Sequence, residues 1–134
     1  MKLIALDSSG LVASAAVLSD NELLAEYTVN YKKTHSQTLL PMLDEISNMI
    51  NLDLGEVDAV AIAAGPGSFT GVRIGVAAAK GFAWGSEIPC YGVSTLEAMA
   101  LSLGVYDGYV LPVMDARRSQ VYNALFLAES GKLT

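Results

Sequence analysis

Cysteine is nearly absent. Cys90 is the single one in 134 residues, so neither a disulfide framework nor a cysteine zinc cluster can be built. Such sparing thiol use fits a reducing compartment. Histidine is equally scarce: His35 stands alone. One imidazole and one thiol do not make a zinc site, and no Ser-His-Asp set can be argued around His35. A lone histidine ahead of a helix reads as a capping or surface residue, and Cys90, after Pro89 in an apolar segment, reads as core. Positive charge is also short. Eight Lys and Arg face fourteen Asp and Glu, for a net charge of −6. Phosphate backbones are held by clustered Lys and Arg, and only Lys32–Lys33 and Arg117–Arg118 are adjacent pairs. Both read as solvated turn residues, so direct nucleic-acid reading by this chain is not expected. Long apolar runs are missing too. Leu3 to Leu6 is too short for a secretion signal, and Val72 to Trp84 is broken by Arg73 and Lys80, which excludes a membrane span. The expectation is a soluble cytoplasmic protein with no membrane partner.

What is present is apolar substance. Hydrophobic residues make up 52% and charged residues 16%, which excludes disorder. At about 150 residues per domain, the length suggests one domain, large enough to bury a core without staples.

The apolar patterning predicts an ordered series of elements. Lys2 to Asp7 is a buried strand closed by the turn Ser8-Ser9-Gly10. Val12 to Leu18 and Glu22 to Tyr31 follow as strands, joined through Ser19-Asp20-Asn21, and form a three-stranded antiparallel meander. From His35 to Leu52 the spacing becomes helical, with Leu39, Leu43, Ile46 and Ile50 on one stripe that Met42 and Met49 widen. Thr34, Ser36 or Thr38 can cap it. Pro41 favours a first-turn position and so the late cap. Val57 to Ala64 is a fully buried strand, Thr70 to Trp84 a helix and Pro89 to Val93 a short strand. Ser94 and Glu97 form a capping box that opens a helix to about Leu103. Tyr109 to Asp115 and Ser119 to Leu127 are the last strands. A meander followed by α/β units is a mixed sheet with flanking helices.

Two segments echo each other. Leu3 to Asp7, a polar turn and a strand recur as Leu111 to Asp115, Ala116-Arg117-Arg118 and a strand. The turn Ser19-Asp20-Asn21-Glu22 recurs as Glu129-Ser130-Gly131-Lys132. Internal repetition is a fold-level signal, although any two hairpins share some of this pattern.

The strongest local motif is Gly65-Pro66-Gly67-Ser68-Phe69-Thr70-Gly71-Val72-Arg73, between a buried strand and a helix. It admits two readings. One is a tight structural turn. The other is an anion or nucleotide loop built from Asp7, Gly65, Gly67, Ser68 and Thr70, with helix-start N–H groups facing the ligand. It is not a P-loop, since no Gly-Lys-Ser/Thr is present. In the helix that follows, Gly71, Gly75, Ala79 and Ala83 recur at four-residue spacing. An interior glycine costs roughly 1 kcal/mol against alanine, so this face must receive a close neighbour. Internal packing is the favoured neighbour, which leaves Val72, Val76 and Lys80 as candidates for a partner surface. Asp7 and Asp115 both end strands; they either cap their own turns or hold a metal–phosphate complex. On these residues alone there is a glycine loop but no convincing catalytic set and no metal site.

Four segments carry a resemblance. HSQTLLPMLDE (35–45), AAGPGSFTGVRIGVAAAKGFA (63–83), GVSTLEAMA (92–100) and DARRSQVYNALF (115–126) resemble the TsaB (YeaZ) family, partner proteins in tRNA threonylcarbamoyladenosine synthesis, sometimes labelled glycoprotease-like. The resemblance implies an actin-like ATPase fold of two RNase H-like halves. Residues 1–106 then form one complete half and 107–134 the start of a second, truncated one. It implies a non-catalytic scaffold that activates the paralogue TsaD, works with the ATPase TsaE, and meets tRNA only indirectly. It also implies homodimers through helices matching about 36–51 and 70–84, with Leu39, Leu43, Val72, Arg73, Val76 and Lys80 at the partner interface. No cofactor is required by the chain itself, and ATP or ADP belongs to the assembled complex. Thr95 and Met99 fall where the paralogue carries its metal-binding histidines, and neither is a ligand suited to iron or zinc at that spacing. The competing expectation is an independent ATP-dependent enzyme of actin-like fold, or a glycoprotease-like hydrolase, using Asp7, the Gly65–Gly67 loop and Asp115.

Overall fold

In a computed structural model, residues 1–30 and 35–134 are described, with the backbone alone for 35–37. The pair Lys32–Lys33, the caps Thr34 and Ser36, and the His35 side chain therefore lie outside the described residues. The elements run β1 (Lys2–Asp7), β2 (Ala13–Ser19), β3 (Glu22–Val29), α1 (His35–Met49), a 3₁₀ turn (Leu54–Glu56), β4 (Ala59–Ala63), α2 (Phe69–Gly85), β5 (Cys90–Val93) and α3 (Thr95–Leu101). Five short strands follow: β6 (Gly108–Val110), β7 (Val113–Arg117), β8 (Gln120–Asn123), β9 (Phe126–Glu129) and β10 (Lys132–Leu133).

The main sheet has the order β3-β2-β1-β4-β5. β1, β2 and β3 pair antiparallel, while β4 and β5 add parallel to β1. This is the expected mixed sheet. Alternation along each strand sorts the faces. Ile4, Leu6, Ala13, Ala15 and Val17 turn to one side and join Leu39, Met42, Leu43, Ile46 and Ala79 in a single core. Helices α1 and α2 lie side by side over that face. On the other face Ala5, Ala16 and Ala61, with Ala98 of α3, line an open hollow of about 310 Å³.

Two expectations are corrected here. Pro41 does not sit in the first turn: the helix begins at His35, and Pro41 is inside it. An interior proline costs roughly 3 kcal/mol. Leu39, Met42, Leu43 and Ile46 are each at most 4% exposed, and burying each side chain contributes about 1.5–3 kcal/mol, so packing outweighs the local penalty. The two C-terminal strands are each divided. Val110 faces Phe126 and Val113 faces Asn123, so one register runs through both pairs. The ladder breaks at Leu111-Pro112 and the facing Ala124-Leu125, because proline has no N–H to donate.

The echoed segments share turn geometry. Asp7 Oδ1 accepts from the Ser9 N–H at 2.8 Å, and Asp115 Oδ1 from the Arg117 N–H at 2.7 Å. Asp20–Asn21 and Ser130–Gly131 both have positive φ at their two central residues, the hairpin turn whose twist matches its strands. Both aspartates thus serve their own turns.

Truncating Ile46 to alanine should lower unfolding free energy by about 2–5 kcal/mol. Urea denaturation followed by circular dichroism measures it, and a loss well under 1 kcal/mol would contradict this core.

Candidate functional site

The β1–β2 turn is where the sheet, the glycine loop and α2 meet. Ser8 and Ser9 are both buried there. Ser8 Oγ donates to the Gly71 carbonyl at 2.8 Å, tying β1 to the first turn of α2. Ser9 Oγ and N–H both donate to Asp7 Oδ1, at 2.6 and 2.8 Å. The Ser9 carbonyl accepts the Ser68 N–H at 2.7 Å. Ser68 caps α2, its Oγ accepting the Gly71 N–H at 3.2 Å, and the Gly65 carbonyl accepts the Thr95 N–H at 2.9 Å. Ser94 likewise caps α3, accepting the Glu97 N–H at 3.3 Å.

Two glycines are required by close approach. A Cβ on Gly67 would lie 2.5 Å from the Ser9 carbonyl oxygen. One on Gly75 would lie 2.3 Å from Ser8 Oγ and 3.0 Å from Ile62 Cδ1. Gly71, Gly75, Ala79 and Ala83 are all buried, so the small-residue face receives the protein's own sheet.

Asp7, Gly65, Gly67 and Ser68 are therefore brought together, with Ser9 as the link, while Thr70 stands exposed in the first turn of α2. The Gly65 carbonyl and the Ser68 N–H and hydroxyl engage the turn and the two helices. No group of three or more His, Cys, Asp or Glu side chains comes together among the described residues. Thr95 is buried with its Oγ1 unpartnered, and Met99 is partly exposed.

The interface residues divide. Leu39 and Leu43 are core, at 1% and 4% exposure, so their side chains are not available to a partner. Val72 and Val76 are half-buried, and Val76 packs on the core. Arg73 and Lys80 are exposed. Sequence reasoning missed Phe69 and Trp84, which are 75% and 87% exposed. Phe69, Arg73, Lys80 and Trp84 follow at intervals of four, seven and four and share one outer stripe of α2. The Arg73 guanidinium lies 4.6 Å from the Phe69 ring centroid, a cation–π contact. The neighbouring helix α1 exposes Leu40, Asp44 and Glu45.

The model of the family described as TsaD: tRNA N6-adenosine threonylcarbamoyltransferase matches residues 22–132. The chain is 38% identical, over 99% of its length, to the tRNA threonylcarbamoyladenosine biosynthesis protein TsaB of Bacillus subtilis. The chain belongs to the TsaB (YeaZ) family. It spans 58% of the length of that relative. The solved structure of YeaZ from Pseudomonas aeruginosa superposes with a TM-score of 0.87 at 32% identity, covering 99% of this chain and 63% of that one. RuvC of Thermus thermophilus, at 14% identity and a TM-score of 0.52 over 76% of this chain and 69% of that one, shares the fold alone. The TsaB architecture here is thus the actin-like, RNase H-like α/β fold. No helix among the described residues is long and apolar enough to cross a membrane.

The Ser8–Gly75 contact makes a paired prediction. Gly75→Ala should lose on the order of 1 kcal/mol or more, since overpacking exceeds the gain in helix propensity. Gly81→Ala, with open space around its Cβ, should gain about 0.5–1 kcal/mol. Thermal denaturation of the two variants checks it; equal shifts would refute the contact.

Proposed function

We propose that this chain is a non-catalytic scaffold and activating subunit in the synthesis of threonylcarbamoyladenosine at position 37 of tRNAs reading ANN codons. It works by pairing with the paralogue TsaD and with the ATPase TsaE. The paralogue transfers threonylcarbamoyl from its adenylate, the tRNA is held mainly by the partners, and ATP or ADP belongs to the assembled complex. In isolation the chain pairs with a second copy. Residues 1–106 act as one RNase H-like half and 107–134 open a second, a division that the shared turn geometry of the two meanders supports.

The observation that carries this reading is the outer stripe of α2. Trp84 and Phe69 present large apolar surfaces, and aromatic anchors dominate binding energy at interfaces. Arg73 and Lys80 lie on the same stripe, and α1, which packs against α2, exposes Asp44 and Glu45. A helix pair with one acidic and one basic member is complementary to a similar pair turned about a two-fold axis. Both a second copy and a paralogue of like fold meet that requirement.

Threonylcarbamoyl transfer to tRNA should appear only when the paralogue is supplied with this chain. Replacing the exposed pair Ala77 and Lys80 with glutamate should weaken co-purification with the paralogue at least tenfold and leave circular dichroism unchanged. Wild-type co-purification by this variant would sink the α2 assignment.

A further inference from the structure

We draw no further inference here: the strongest candidate, the open hollow that Ala5, Ala16, Ala61 and Ala98 line on the second face of the main sheet, is an apolar face and nothing in the structure shows what covers it.

Discussion

The seat of Ser8 beneath α2 is the constraint on which the rest of the structure depends. One hydroxyl, donating to the Gly71 carbonyl, lets the end of β1 come within a hydrogen bond of a helix backbone. That distance is reachable only because Gly75 has no Cβ. The neighbouring Ser9 carbonyl takes the Ser68 N–H, so the loop entering α2 is anchored to the same turn. The height and rotation of α2 over the sheet follow, and with them which of its faces meets solvent. Small residues inside and large ones outside invert the usual order for an amphipathic helix. The inversion makes sense if the inner face must lie close and the outer face must attract.

Much of this was legible in the residues because it is local. The element order came from periodicity, the cap Ser94 from its capping box with Glu97, and the echo between the two meanders from turn chemistry. The inward Gly-Ala face of α2 could be inferred from helix propensity alone. What was not legible depends on which neighbour a face receives. Leu39 and Leu43 form an apolar stripe, and a stripe looks the same whether it meets a core or a partner. Phe69 and Trp84 were overlooked because α2 is apolar nearly all round, so composition does not say which side is outer. Ser8 carries no sequence mark of its burial; only Gly75, distant in sequence, hints at a close neighbour. Pro41 misled in the opposite way: its local preference is real but smaller than the burial of four core side chains. The break at Pro112 was visible in principle, since a proline within a paired strand cannot complete the ladder.

The glycine loop shows how a specific motif can serve packing. Its carbonyls and amides join β1, α2 and α3 at one point. Loops of this composition are often assigned to phosphates because glycine opens backbone for an anion. Here the same freedom admits the Ser9 carbonyl, and the loop works as a splice between elements.

The two meanders have a consequence for how the chain reaches this state. Each is a run of neighbouring strands closed by tight turns, and hairpins of that kind form in about 1–10 μs. The parallel pairing of Leu3 with Ala59 joins positions far apart in sequence and must wait for α1 to be bridged, since non-local contacts carry the closure entropy of the loop between them. The meanders are therefore the natural early structures, and the turn that later receives α2 is shaped before the helix arrives. Assembly order and architecture then share one origin, the Asx-anchored turn at the end of β1.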